Sequence, residues 1–237
     1  MGWRDAVGAV LDVVWPPACV ACDVVLPGPG AFCEDCAAEV LELPAQHCPR
    51  CAEPEETALC ARCRAGVPWE KAWAPLEHEG ALARAIHRFK YEDHAELARP
   101  LGALLAGTAA PVLQSLPGAL VPLPLHAARY RQRKFDQAAL LAAELATHTG
   151  RTLQPGWLSR TRDTARQVGL SEAQREANVR DAFRATSAVA GHDVVLVDDV
   201  LTSGASAREA VRALLGAGAS SSQIRRSSSD SRWPLMQ

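Results

Sequence analysis

Val194-Val195-Leu196-Val197 is an unbroken run of β-favouring apolar residues, which predicts a strand buried on both faces. Ala207, Val211, Leu214 and Leu215 then recur at helical spacing and predict a helix packed against that strand. Upstream, residues 71–78 read as a strand, and Leu82, Ile86 and Phe89 mark the buried face of a helix that ends near Lys90-Tyr91. Further helices are predicted from about Ala95 to Thr108 and from Asp136 to about His148. The second packs through Ala139, Leu140 and Ala143 and stops at Gly150. A short strand falls over Ala119-Leu120-Val121-Pro122-Leu123. Strands alternating with helices imply an α/β fold with a parallel sheet and ligand groups converging at the carboxyl ends of its strands.

Between the apolar strand and its helix lies Asp198-Asp199-Val200-Leu201-Thr202-Ser203-Gly204-Ala205-Ser206. A loop of this make-up aims backbone N–H groups and the positive end of a helix at one spot. Thr202, Ser203 and Ser206 add hydroxyls, and Gly204 permits close backbone approach, so a phosphate monoester fits. Asp198 and Asp199 fall at the strand end, where their acceptor oxygens suit two neighbouring ribose hydroxyls. A strand and turn with incidental acids is the plainer alternative, but it requires strand, acid pair and loop to coincide in register by chance. The segment resembles the phosphoribosyl pyrophosphate (PRPP) motif of type I phosphoribosyltransferases. On that reading Val200, Leu201, Thr202, Ser203, Gly204, Ala205 and Ser206 hold the 5′-phosphate.

All eight cysteines fall in C-x-x-C knuckles: Cys19/Cys22, Cys33/Cys36, Cys48/Cys51 and Cys60/Cys63. Each knuckle puts two thiolates on one tight turn and two knuckles complete a tetrahedral shell, so the set makes two closed, structural zinc sites. Disulfides are the alternative, disfavoured by the repeated two-residue gap and by the lack of a secretory context. Ligation pairs the first knuckle with the second and the third with the fourth, although an interleaved cross-brace has the same spacing. His47, beside Cys48, reads as a bystander because the thiolates already suffice.

The 237 residues, 48% of them apolar, divide into unequal parts. Residues 1–66 carry every cysteine and little periodic apolar pattern, so they are expected to fold on metal and to unfold first on chelation. After the linker at Arg64-Ala65-Gly66-Val67-Pro68, residues 67–219 carry the α/β pattern. Residues 220–237, opening with Ser220-Ser221-Ser222-Gln223, are polar and expected to form a disordered tail. The apolar opening up to Trp15 is short and interrupted by Asp12, a poor signal peptide and no membrane span, so a cytoplasmic protein without membrane insertion is expected. A net charge of −2 argues against bulk nucleic-acid affinity. Basic residues cluster instead at Arg129, Arg131, Arg133 and Lys134 and at Arg160, Arg162 and Arg166. Trp69, Trp73 and Tyr91 could stack on a base, but packing is the commoner role of aromatic residues at a domain start.

The order of these pieces resembles the ComF family, a double zinc ribbon followed by a type I phosphoribosyltransferase-like domain. The resemblance runs from about residue 16 to 219. It rests on the knuckles, Phe89-Lys90-Tyr91, Val121-Pro122-Leu123-Pro124-Leu125, Arg133-Lys134-Phe135-Asp136-Gln137, Arg160-Thr161-Arg162-Asp163-Thr164 with Gln167, Asn178, Ala182-Phe183 and the PRPP motif. It implies PRPP as donor, Mg²⁺ as its counter-ion, an unknown acceptor, and links to competence, DNA-uptake proteins and single-stranded DNA. Arg133 and Lys134 are the first choices for the pyrophosphate, and Arg160 or Arg162 for closing over the site. A non-catalytic PRPP-responsive regulator and a DNA-handling factor are the alternative functions. Two departures stand out: Lys134 occupies a position where the family usually has glycine, and no apolar strand follows the last predicted helix.

Overall fold

The structure, a computed structural model, describes residues 16–44, 46–53, 59–114, 116–164 and 171–229. Its strands are β1 (Lys71–Trp73), β2 (Ala119–Pro122), β3 (Leu158–Arg160), β4 (Phe183–Ala185), β5 (Asp193–Leu201) and β6 (Ser221–Ser229). Its helices are α1 (Glu34–Ala38), α2 (Ala61–Ala65), α3 (Gly80–Tyr91), α4 (Ala98–Gln114), α5 (Ala127–Arg133), α6 (Gln137–Thr149), α7 (Glu172–Val179) and α8 (Ala205–Gly216). Four strands form a parallel sheet in the order β1-β6-β5-β2, while β3 and β4 pair antiparallel as a separate ribbon. The strand predicted over residues 71–78 is confined to β1 and followed by an isolated antiparallel bridge from Leu76 to Glu42.

β5 divides the interior. Val195 and Val197 face a core built by Phe89 of α3, Leu101 and Leu105 of α4, and Leu141 and Leu145 of α6. Val194 and Leu196 face the other side, against Ala207, Val211 and Leu214 of α8 and Phe183 of β4. The pleat sends alternate residues to opposite faces, and both faces are covered, so all four side chains are fully buried.

Each core also takes in one set of cysteines, Cys19 and Cys36 on the first side and Cys48, Cys51, Cys60 and Cys63 on the second. The knuckles, expected to fold on metal, thus also share the cores of the sheet. The knuckles carry no periodic pattern of their own, yet they pack under the same sheet as the helices. α3 holds the first knuckle pair, with Arg84 Nη1 donating to Glu39 at 2.9 Å and Arg88 donating to the Val20 carbonyl at 3.0 Å and to Asp23 at 2.6 Å.

The expected disordered tail is also overturned from Ser221 to Ser229, because this segment is β6, between β1 and β5 in the middle of the sheet. α8 ends at Gly216, Gly218 turns at φ +96°, and the Ser220 N–H donates to the His192 carbonyl, which aims the chain back along β5. From there the register runs Val195↔Gln223 on one side and Lys71↔Gln223 on the other. A parallel ladder on both flanks supplies backbone partners whatever the side chains are, and an argument from composition does not count that term. Residues 230–237, with Trp233 and Leu235, lie outside the described residues.

Candidate functional site

β2 ends at Pro122, where the Leu123 N–H donates to the Val197 carbonyl at 2.8 Å, while β5 runs on to Leu201, so the expected strand end moves four residues on and Val200 and Leu201 belong to the strand, not the loop. Asp198 and Asp199 directly follow Val197. Asp198 Oδ1 accepts from the Asp199 N–H at 2.8 Å, and Asp199 Oδ1 accepts from the Val200 N–H at 2.7 Å. Asp199 is buried and pairs with Lys90 Nζ of α3 at 3.0 Å. Burial first, and then the charge of Asp199, hold the Asp198 carboxyl well above the usual carboxylate range, with Lys90 opposing them. One lysine therefore faces two acids.

The chain then enters the Thr202-Ser203-Gly204 turn. Ser203 is fully buried and its Oγ accepts from the Ala205 N–H at 3.4 Å. Gly204 is the N-cap of α8 in the left-handed region, at φ +71°, a conformation that glycine adopts without the steric cost of a Cβ. A Cβ there would stand 3.4 Å from Cη2 of Trp69.

The basic residues separate into distinct settings. Arg160, at the end of β3, stacks over Phe183 at 5.3 Å and donates through Nη2 to Thr164 Oγ1. Its Nε is buried with no hydrogen-bond partner among the described residues. Burial, then the charge of Arg129, push its pKa down to about 10, while Asp163 and Asp198 pull the other way. Arg162 is instead tied to the carbonyls of Asn178 and Arg180 at the end of α7. Arg133 donates to Gln137 Oε1 at 3.1 Å and lies 4.9 Å from the Tyr91 ring centroid, and Lys134 pairs with Asp93. Arg133 and Lys134 thus contact the end of α3, and Arg160 is the arginine that senses Asp198. Arg166 and Gln167 lie outside the described residues. Of the aromatic residues, Trp69 is buried and Trp73 packs against the first core, whereas Tyr91 is exposed.

The cysteines form two tetrads, Cys19/Cys22/Cys33/Cys36 and Cys48/Cys51/Cys60/Cys63, each with its sulfurs within 4.8 Å of one another. Neighbouring knuckles pair, and the interleaved arrangement and the disulfides are absent among these eight thiols. The Cys22–Cys33 and Cys51–Cys60 sulfurs are 3.7 and 3.5 Å apart. Zinc–sulfur bonds of about 2.3 Å would set tetrahedral edges of about 3.8 Å, so the geometry fits the ion. Burial opposes ionisation of Cys48, but the N–H groups of Cys60, Arg50 and Cys51 outweigh it and hold the pKa at about 7. Cys19 is held at about 7 in the same way by Cys33, Ala21 and Cys22. Burial and neighbouring thiols push Cys36 up to about 12, as they do Cys63. His47 is outside both tetrads and its Nδ1 lies 2.8 Å from the Pro44 carbonyl.

The chain is similar to known proteins along most of its length. Residues 10–64 match the double zinc ribbon domain and residues 138–225 the phosphoribosyl transferase domain. The chain is 32% identical to the DNA utilization protein YhgH of Salmonella typhi over 200 residues, 81% of this chain and 88% of that protein. It is 29% identical to competence protein F of Haemophilus influenzae, covering 81% and 82% of the two chains. With competence protein ComFC of Bacillus subtilis the identity is 26%, over 80% of each. The chain belongs to the ComF family.

The departures of this ComF protein now have physical content. Lys134, at the position where the resemblance implied glycine, is the C-cap of α5 in the left-handed region at φ +63°. The phosphoribosyl transferase match reaches residue 225, inside β6, so the polar stretch belongs to the domain. Sequence reasoning missed three residues of the site. Lys90 appeared only as part of Phe89-Lys90-Tyr91, although a lysine flanking the buried face at the end of a helix was a usable signal. Asp136 caps α6, accepting from Ala139 N–H at 3.0 Å and Leu125 N–H at 2.8 Å, and burial holds its pKa up with Asp199 adding to the effect. Trp69 had no local signal, because its proximity to Gly204 arises only in the fold. No helix among the described residues is long and apolar enough to cross a membrane.

Proposed function

We propose that this ComF protein binds PRPP with Mg²⁺ at the carboxyl ends of β2 and β5 and transfers its phosphoribosyl group to an acceptor. The observation that carries the reading is the junction of an acid pair with an anion-type loop on one strand end. Asp198 and Asp199 lead within a few residues to Gly204, which opens α8. The loop amides and the helix end take the 5′-phosphate, and the acids take the ribose hydroxyls. Arg160, with its unpartnered Nε, is the cation for the charge that grows on pyrophosphate as the anomeric bond stretches. Arg133 and Lys134 assist once they exchange Tyr91 and Asp93 for the ligand.

The two adjacent acids, with Lys90 paired to Asp199 and Arg160 near enough to sense Asp198, suit an added cation. Mg²⁺ would be held by Asp198 and Asp199 through water and would supply charge neutralisation for the phosphates. The cysteine tetrads suit structural zinc. Cysteines arranged as zinc-type tetrads and an intracellular donor such as PRPP support a cytoplasmic location. The competence and DNA-utilization names of the relatives support a role in the handling of DNA taken up by the cell, with DNA-uptake proteins as partners.

Calorimetric titration with Mg²⁺ and PRPP, followed by an acceptor screen for pyrophosphate release, tests both halves. Saturable binding with acceptor-dependent release is expected. No binding would overturn the whole reading, and binding without release from any acceptor would overturn transfer. Asp198→Asn and Asp199→Asn should weaken PRPP more than inorganic phosphate. Unchanged PRPP affinity would remove the ribose assignment.

A further inference from the structure

The second cysteine tetrad is joined to the phosphate loop through one tryptophan. Arg50 sits inside the Cys48/Cys51 knuckle. Its Nε donates to the Trp69 carbonyl at 3.0 Å and its Nη2 to the Val67 carbonyl at 3.1 Å. In return the Arg50 carbonyl accepts from Trp69 Nε1 at 3.2 Å and from the Ala72 N–H at 2.7 Å. These bonds fix residues 67–72 to the knuckle from both sides. Trp69 is 1% exposed and shares a core with the four cysteines, Leu201 and Ala207. The far edge of its ring, Cη2, lies 3.4 Å from where a Gly204 side chain would begin. The ring edge thus closes one side of the turn at the distance where a first side-chain carbon on Gly204 would come into van der Waals contact with it, and Leu201, just before the turn, packs in the same core.

We infer that Trp69 is a positioning residue for the phosphate loop and that, through Arg50, it couples metal occupancy of the second tetrad to ligand binding at Gly204. The inference rests on the phosphoribosyl reading of that loop. The physical basis is that a closed zinc shell orders its knuckle, whereas a metal-free one does not hold a single geometry. Arg50 carries that order to Trp69, and Trp69 limits the positions open to the turn. Linkage requires reciprocity, so a ligand that fixes the loop must also hold metal in the second tetrad. The first tetrad is bound to α3 through Arg84 and Arg88 and serves as the internal comparison.

The test uses the full zinc-loaded chain and ribose 5-phosphate as probe. Saturating probe should slow chelator-driven release of one of the two zinc ions several-fold and leave the other unchanged. Trp69→Phe removes the outer ring edge and the Nε1 donor, and Arg50→Met removes the bonds to residues 67 and 69 without touching a cysteine. Each variant should bind the probe about tenfold more weakly and lose the selective protection of zinc. Probe binding by the parent with equal zinc release, or variants that match the parent in affinity and protection, would overturn the coupling alone. No binding of ribose 5-phosphate or PRPP by the parent would overturn the phosphoribosyl reading, and the coupling with it.

Discussion

Lys134 holds a left-handed backbone at φ +63°, where a Cβ crowds the neighbouring carbonyl and glycine does not. Its ion pair with Asp93 joins two largely exposed side chains, a type of contact that contributes little in water. The backbone term should win, so Lys134→Gly is expected to stabilise the chain by about 0.5–1 kcal/mol. That corresponds to a rise in Tm of about 2–4 °C per kcal/mol for a chain of this size. A fall in Tm on calorimetry would mean that the ion pair outweighs the backbone.

Asp198 gives a second residue-scale outcome. Its folded pKa lies above the unfolded value of about 3.9, so the folded state retains a proton that the unfolded state releases. Stability of the ligand-free chain therefore declines as pH rises from about 4 towards the folded pKa. Asp198→Asn keeps an acceptor for the Asp199 N–H and removes the ionisation. It should raise Tm more at pH 7 than at pH 4 while weakening PRPP binding. A variant less stable than the parent at pH 7 would refute the assignment of burial as the dominant cause.

Among elements, β6 has the most at stake, because among the described strands β1 reaches β5 through it. Gln223 is paired with both Lys71 and Val195, so Gln223→Pro removes a ladder donor in a central strand and should cost about 1–3 kcal/mol through the orphaned partner. Thermal unfolding decides this, and an unchanged Tm would return the segment to the status of a tail. β5 and α8 were legible in the sequence because their order is written in apolar side chains, Val194 to Val197 and then Ala207, Val211 and Leu214. β6 was not, because its order comes from the backbone and from the crossover that follows α8. The same division runs through the site. Asp198, Asp199, Gly204 and the knuckles are local patterns and could be read directly. Lys90, Trp69 and the contrast between Arg160 and Arg162 depend on which helix or loop packs against the strand end.

For the whole molecule, the two tetrads lie in the two cores on opposite sides of β5, and this changes what chelation is expected to do. Structural zinc in small peptides contributes on the order of 10 kcal/mol of folding free energy, and a domain's entire net stability is about 5–15 kcal/mol. Loss of metal is therefore comparable to the stability of the chain. The loss cannot stay within residues 16–66 either. The first tetrad is carried on α3, whose Phe89 packs in the core on one face of β5, and the second is bonded to the segment that enters β1. We therefore expect chelation to lower the unfolding temperature of sheet and ribbons together, with tryptophan fluorescence and far-ultraviolet circular dichroism changing in one coincident transition. Two separate transitions, the upper one insensitive to chelator, would show that the α/β part stands without its zinc ribbons and that the shared cores contribute little to holding it.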